Sequence, residues 1–141
     1  MSEKKRLVII GGGAAGFFSA INAAQMASDL EVIILEKTHK LLSKVRISGG
    51  GRCNVTHQCF DNKLLAANYP RGNKELLSCF HQFNASDTIE WFSQRKIKLK
   101  AEPDGRMFPD TDSSETIIHC FLNEADKLGV TIKTGVALTN Y

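Results

Sequence analysis

The chain has 141 residues, a formal charge of +3, and 43% hydrophobic and 23% charged residues. This length suits one domain or part of one, and the apolar content excludes a disordered chain. The longest purely apolar runs, residues 7–10 and 32–35, are too short for a membrane span or a signal peptide. We therefore expect a cytoplasmic globular protein that has no membrane partner.

The start of the chain is typical of a βαβ unit. Residues 6–10 form a β-branched apolar run that ends at a glycine, as in a buried parallel strand. Residues 14 to about 27 are rich in alanine and place Phe17 and Ile21 on one helical face. Residues 31–36 repeat the buried-strand pattern, so the two strands are expected to run parallel in one sheet.

The middle of the chain predicts a long loop and a small α+β excursion at about residues 60–110. Residues 37–73 show no clear period, and a loop of this length inside a domain usually has a function. Two helices are expected next, the first after Asn73 and the second from Ser86, and then a half-buried strand over residues 97–101. The sequence Pro-Asp-Gly at residues 103–105 predicts a turn.

The end of the chain predicts a helix and a third parallel strand. Ser113 suits the N-cap of a helix that runs to about Leu128, and Gly129 suits the position after it. Residues 130–134 have the pattern of a strand of the same parallel type. The predicted fold class is therefore α/β, with a Rossmann-like parallel sheet.

The glycine-rich segment after the first strand is the first motif that points to a ligand. Gly-Gly-Gly-Ala-Ala-Gly at residues 11–16 fits G-x-G-x-x-G between a predicted strand and helix. Gly11 permits the tight turn, Gly13 lets the backbone approach a pyrophosphate, and Gly16 allows close packing of helix on strand. Glu36 ends the second strand, where a carboxylate accepts hydrogen bonds from an adenosine ribose and repels a 2′-phosphate. The alternative is a tight turn that binds no ligand.

A second glycine-rich segment follows at residues 44–56. Three consecutive glycines at residues 49–51 allow the backbone to wrap closely around a ligand. The polar and positively charged neighbours are Ser48, Asn54, Thr56, Lys44, Arg46 and Arg52. These side chains suit phosphate or a reduced flavin, whereas a solvated surface loop is the alternative reading of the same pattern.

The four cysteines do not indicate a metal centre. They form no Cys-x-x-Cys pair, and the set of Cys53, His57 and Cys59 lacks a fourth ligand at suitable spacing. We therefore expect reduced thiols and name no metal ligand.

Four segments together resemble one family of flavoproteins. They are GGGAAG at residues 11–16, the strand end Glu36-Lys37, ISGGGRCNVT at residues 47–56 and GRMFP at residues 105–109. They resemble the N-terminal part of the BaiN-like, or aminoacetone-oxidase-like, FAD-dependent oxidoreductases, a family of the superfamily with two dinucleotide-binding domains. The resemblance covers essentially the whole chain, although His57 stands where the family commonly has Asn.

The resemblance implies that the chain binds FAD. The residues implied for the adenosine and pyrophosphate half are Gly11, Gly13, Ala15, Gly16 and Glu36, with Lys37 and Lys44 near them. The residues implied to line the cofactor towards the flavin are Ser48, Gly49, Gly50, Gly51, Arg52, Cys53 and Asn54. The backbone of Val136, after the third strand, is implied to meet the adenine.

The resemblance also implies that the chain is part of a larger two-domain protein. Members of the family carry an inserted substrate domain, and their chain then returns to the FAD-binding domain. We therefore expect residues 1–141 to be the N-terminal portion of an FAD/NAD(P)-binding domain, without the substrate domain.

The predicted function is that of the FAD-binding portion of a flavin-dependent oxidoreductase, which transfers a hydride to or from a small organic substrate. NAD(P)H is the electron donor considered for the parent protein, and no residue stands out as a catalytic acid or base. The alternative is a nucleotide-binding module that binds NAD or has no catalytic role. RNA binding is disfavoured because no aromatic residue lies between Lys37 and Arg52, so we expect no nucleic-acid partner. The sequence alone indicates no oligomeric state.

Overall fold

A computed structural model describes residues 4–140, which divide into two compact units. The first unit runs to Gly51 and resumes at Ser114, and the second unit spans Arg52–Ser113. In chain order the elements are β1 (Arg6–Ile10), α1 (Ala14–Met26), β2 (Glu31–Glu36), α2 (Ser43–Gly51), β3 (Thr56–His57), α3 (Asn62–Ala67), α4 (Asn73–Gln82), α5 (Ala85–Ser93), β4 (Leu99–Ala101), β5 (Arg106–Pro109), α6 (Ser114–Lys127) and β6 (Thr131–Thr134). No helix within residues 4–140 is long and apolar enough to cross a membrane.

The first unit contains the predicted parallel sheet, with strand order β1–β2–β6. The middle strand, β2, pairs in parallel with both neighbours: Arg6 lies opposite Glu31, and Ile33 lies opposite Thr131. Ile34 at the centre of β2 is fully buried, as expected for a central parallel strand. The βαβ order and the third parallel strand predicted from the sequence are thereby confirmed.

The core of the first unit includes the packed faces of α1 and α6. Phe17 and Ile21 of α1 and Ile117 and Phe121 of α6 are each at most 4% exposed. The Phe17 and Phe121 rings lie 6.1 Å apart between their centroids. A spacing of four residues puts each pair on one helical face, and burial of one such side chain contributes about 1.5–3 kcal/mol to the stability of the fold.

The first strand is less buried than the sequence predicts. Val8 and Ile10 are 44% and 54% exposed. Side chains alternate across a strand, so these two residues share one face, and within residues 4–140 β1 pairs only with β2. The expectation of a buried strand is therefore wrong for this face of β1, because an apolar run does not reveal whether a further layer covers each face of the sheet.

The second unit has the α+β composition expected of the excursion. Its antiparallel sheet has the order β3–β5–β4, and the β4–β5 hairpin turns at residues 103–105. Helix α5 begins at a capping box: the Asn84 side chain accepts the Asp87 N–H, and the Asp87 carboxylate accepts the Asn84 N–H. Phe92 of α5 and Phe108 of β5 are buried in this unit.

The prediction of one long loop over residues 37–73 is wrong. The segment contains α2, β3 and α3. The carboxylate of Asp61 caps α3 by accepting the N–H groups of Lys63 and Leu64, both at 2.9 Å. The helical part of α2 ends at Ser48, where ψ is 147°. Elements of one or two turns are too short for hydrophobic periodicity to detect.

The predicted helices of the second half of the chain are confirmed. Helices α4 and α5 begin at Asn73 and Ala85, within one residue of the expected positions. Helix α6 begins at Ser114, directly after the predicted N-cap Ser113. Gly129 follows α6 with a φ of +70°, the left-handed conformation that favours glycine after a helix.

Candidate functional site

The turn between β1 and α1 needs glycine at two positions. Gly11 has a φ of +106°, and its N–H donates to the Leu35 carbonyl at 2.8 Å. A Cβ on Gly16 would lie 1.9 Å from the Gly11 oxygen, so the helix approaches the turn too closely for a side chain. Glycine at both positions is therefore a requirement of the fold itself.

Gly13 differs because the fold does not require glycine there. It is the N-cap of α1 with a φ of −94°, and a Cβ on it would meet no described atom within 4 Å. The N-cap glycine has no side chain that could accept the first N–H groups, and the first turn of the helix contains no acidic residue. The N–H groups and the positive dipole end of α1 are therefore available to an anion.

A cavity of about 380 Å³ lies at the start of α1. It is lined by Gly12, Gly13, Ala14, Glu36, Lys40, Ser43, Lys44 and Val45. Backbone N–H groups, a hydroxyl and two exposed lysines are donors that suit a pyrophosphate. We call this the phosphate cavity. The sequence analysis missed Lys40 and Ser43 as site residues.

A second cavity, of about 330 Å³, lies at the carboxyl end of β2. It is lined by Ile10, Gly11, Leu35, Glu36, Lys37, Val136, Ala137 and Leu138. The Val136 N–H donates to the Glu36 carbonyl, and the Gly135 N–H donates to the Thr38 carbonyl, both at 3.0 Å. These bonds hold the segment after β6 against the end of β2, where it forms one wall of the cavity. We call this the adenosine cavity.

Glu36 lines both cavities, and three donors hold its carboxylate. The Gly12 N–H donates to Oε2 at 2.8 Å, and Thr38 donates its N–H (2.8 Å) and its hydroxyl (2.9 Å) to Oε1. The backbone hydrogen bond from Thr38, followed by that from Gly12, lowers the pKa of Glu36 below its ordinary value. The carboxylate is therefore ionised at neutral pH, and Oε2 keeps acceptor capacity for a further donor.

The glycine triplet ends α2. Gly49, Gly50 and Gly51 have φ values of +56°, +68° and +88°. A Cβ on Gly50 or Gly51 would meet no described atom within 4 Å, so backbone conformation and not crowding favours glycine there. The Ser48 hydroxyl donates to the Val45 carbonyl at 2.9 Å and so turns back onto the helix.

Two arginines expected to offer positive charge to a ligand are paired with carboxylates. Arg46 pairs with Glu115. In the second unit Arg52 pairs with Glu102 and lies 3.7 Å from Asp112. The Arg52 guanidinium also lies 3.9 Å from the centroid of a buried phenylalanine ring. Carboxylates therefore already compensate the charge of Arg52, and its role in cofactor binding stays a prediction.

The structure brings together only part of the residue set implied by the resemblance. Those that line the two cavities are Gly11, Gly13, Glu36, Lys37, Lys44 and Val136. Ala15 and Gly16 lie in the first turn of α1. Residues 48–51 end α2 and line neither cavity, and residues 52–54 belong to the second unit. Within residues 4–140, no group of three or more His, Cys, Asp or Glu side chains could hold a metal ion.

The chain is similar to proteins of known families over nearly its whole length. The family model for the HI0933-like protein Rossmann domain matches residues 5–141. A 3-dehydro-bile acid delta(4,6)-reductase from Clostridium scindens is 32% identical over 131 residues, which are 93% of this chain and 31% of that protein. A ribosomal RNA dihydrouridine synthase from Escherichia coli is 30% identical over 131 residues, with the same two coverages.

A solved structure shares the fold. THI4 from Thermovibrio ammonificans is 13% identical and has a TM-score of 0.58, over 98% of this chain and 43% of that one. The Rossmann-like α/β fold class is thereby confirmed. The chain spans about a third of the length of the curated relatives that it matches. One relative is named for a bile acid and another for ribosomal RNA, so the expected lack of a nucleic-acid partner stays a prediction.

Proposed function

The chain belongs to the HI0933-like Rossmann-domain family of FAD-binding oxidoreductases, and from this premise we propose that its first unit binds the adenosine diphosphate half of FAD. The observation that carries the proposal is the position of Glu36, which lines both the phosphate cavity and the adenosine cavity. In adenosine diphosphate the ribose stands between the base and the pyrophosphate. A carboxylate shared by the two cavities is therefore well placed to meet the ribose hydroxyls.

The hydrogen bonds around Glu36 support a ribose at this point. Oε2 accepts the Gly12 N–H and has capacity for one more donor, which a ribose hydroxyl would supply. The ionised carboxylate makes that bond charge-assisted and stronger than a neutral one. The same charge repels a ribose 2′-phosphate and so favours FAD or NAD over NADP.

The phosphate cavity supports a pyrophosphate at the start of α1. The space beside Gly13 is open, so a phosphate oxygen can approach the helix N–H groups without a steric conflict. Lys40 and Lys44 line the same cavity and would compensate the two negative charges. The adenine would lie beside Val136 and Leu138, whose apolar side chains line the adenosine cavity.

The residues that line the two cavities suit the adenosine diphosphate half of FAD, whose flavin ring would supply hydride transfer when the cofactor is bound. The contribution of this chain is to hold the adenosine diphosphate end through the α1 turn and Glu36. We propose that the whole oxidoreductase transfers a hydride to or from a small organic substrate, with NAD(P)H as a candidate donor. Among the described residues we identify no side chain as the acid or base of that step.

NAD is the second candidate, because FAD and NAD share the adenosine diphosphate half that the two cavities suit. Cofactor identification separates the two. The full-length protein is purified from cells without added cofactor, denatured, and the released small molecules are separated by chromatography and identified by absorbance and mass. We expect flavin adenine dinucleotide close to one equivalent. Release of NAD, or of no dinucleotide, would contradict the proposal.

A further inference from the structure

Thr38 connects three parts of the site although it lines neither cavity. Its N–H and its hydroxyl both donate to Glu36 Oε1. Its hydroxyl oxygen accepts the Lys40 N–H at 3.2 Å, and its carbonyl accepts the Gly135 N–H at 3.0 Å. One exposed residue therefore joins the Glu36 carboxylate, the backbone at Lys40 and the segment after β6 that forms one wall of the adenosine cavity.

We infer that Thr38 is a positioning residue that directs Glu36 Oε2 to the ribose 2′-hydroxyl. The inference rests on the proposed function, since it concerns how the same site recognises its ligand. Two donors from Thr38 occupy Oε1, and the Gly12 N–H fixes Oε2 at the border of the two cavities. The lone pair that remains free to accept a ligand hydroxyl is therefore on Oε2, the same oxygen that accepts the Gly12 N–H.

The Thr38 hydroxyl can be removed while the N–H and the carbonyl of Thr38 keep their partners. Thr38→Val keeps the β-branched shape and the N–H donor but deletes the hydroxyl bond to Oε1 and the bond that the hydroxyl oxygen accepts from the Lys40 N–H. The residue is exposed, so the substitution buries no unpaired polar group. With one donor lost, the carboxylate can rotate, and Oε2 loses its fixed direction. Thr38→Ser keeps the hydroxyl and should behave as the native chain does.

The experiment measures coupling between Thr38 and a ribose hydroxyl that it does not touch. The affinities of the 141-residue chain for ADP and for 2′-deoxy-ADP are determined by NMR titration, which also reports whether each variant is folded. The native chain should prefer ADP. Thr38→Val should weaken ADP binding by about 3- to 10-fold, the effect of one hydrogen bond, and 2′-deoxy-ADP binding by less than about twofold. Thr131→Val, at the amino end of β6, is the matched control and should change neither affinity.

Each of the other possible results of these titrations contradicts a specific part of the inference. Equal weakening of both ligands by Thr38→Val would mean that Thr38 acts through the fold or through the Lys40 backbone at the phosphate cavity, and not on the ribose hydroxyl. No weakening of either ligand would refute the inference and leave the proposed function standing. A native chain that binds both ligands equally, or neither, would refute the role of Glu36 and the inference with it. Loss of ADP affinity in Thr38→Ser would show that the hydroxyl is not the responsible group.

Discussion

The backbone N–H of Gly12 donates to the carboxylate of Glu36 at 2.8 Å and so joins the turn after β1 to the end of β2. The Gly12 carbonyl in turn accepts the Leu42 N–H at 2.8 Å, so the residue just before α2 is hydrogen-bonded to the same turn. The ribose acceptor and the phosphate turn are therefore parts of one hydrogen-bonded network. A change at Glu36 should alter the conformation of the turn as well as the direct contact with a ligand.

Gly13→Val should remove dinucleotide binding and leave the chain folded. The backbone at Gly13 is extended, with φ −94° and ψ −171°, and a Cβ would meet no described atom within 4 Å. The side chain would instead fill the space that the pyrophosphate needs. We expect ADP and FAD affinity to fall by roughly a hundredfold or more, as for several lost charge-assisted bonds. Isothermal titration calorimetry measures this, and unchanged affinity would contradict the assignment of the turn.

Gly16→Ala provides the opposite case and should destabilise the fold. Its Cβ would lie 1.9 Å from the Gly11 oxygen, a backbone atom that cannot move without shifting the turn. We expect the free energy of unfolding to fall by at least about 1–3 kcal/mol, the usual cost of overpacking. Urea denaturation measures the loss. A native-like stability for Gly16→Ala would mean that α1 and the turn separate easily.

Glu36→Gln should change the pH dependence of stability. The pKa of Glu36 is lowered in the folded chain from its ordinary value of 4.5, so the folded state favours the ionised form. This contribution is complete above pH 4.5 and is lost as the pH falls through the folded-state pKa. The difference in unfolding free energy between the native chain and Glu36→Gln should therefore be largest above pH 4.5 and shrink below it. Denaturation at a series of pH values tests this, and a pH-independent difference would exclude the effect.

Lys40→Ala and Lys44→Ala should each weaken ADP binding several-fold and leave adenosine binding nearly unchanged. Both lysines line the phosphate cavity, and adenosine lacks the phosphates that they would contact. The loss should be greatest at low salt, because these side chains are exposed and their charges are screened. Lys98→Ala, an exposed lysine of the second unit, is the control. Equal loss of ADP and adenosine affinity would place the lysines elsewhere than beside the phosphates.

The 141-residue chain should bind FAD weakly and with an affinity similar to that for ADP. The two cavities suit the adenosine diphosphate half, and a ligand gains affinity when most of its surface is enclosed. FMN, which lacks the adenosine, should bind much more weakly than ADP. Fluorescence and NMR titrations with the three ligands test this. Submicromolar FAD binding would show that this chain also encloses the flavin half.

The strand–turn–helix part of the site could be predicted from the sequence because each feature there is local. Gly11 has a positive φ, Gly16 has no space for a side chain, and Glu36 ends an apolar strand. All three features can be recognised from the residues immediately around them. The parallel sheet followed from the same reasoning, since short strands of four to six residues alternate with longer helices.

The remaining features depend on contacts between distant segments, which no local pattern encodes. Arg46 looked available to a phosphate because its partner, Glu115, lies far along the chain. Thr38 carried no signal, since its importance lies in hydrogen bonds to Glu36 and Gly135. The exposure of Val8 was equally hidden, because it depends on whether another segment covers that face of the sheet.

The pairing of β2 with β6 has a consequence for how the chain folds during synthesis. Ile33 pairs with Thr131, and the entire second unit lies between these residues in the sequence. The second unit is one continuous stretch that is synthesised before β6, so its internal contacts can form first, whereas the pairing of β2 with β6 must wait for β6. Closure of that long loop is slow and depends on chain topology more than on stability. Until β6 is in place, one edge of the buried strand β2 is unpaired and can pair with a wrong segment or with another chain.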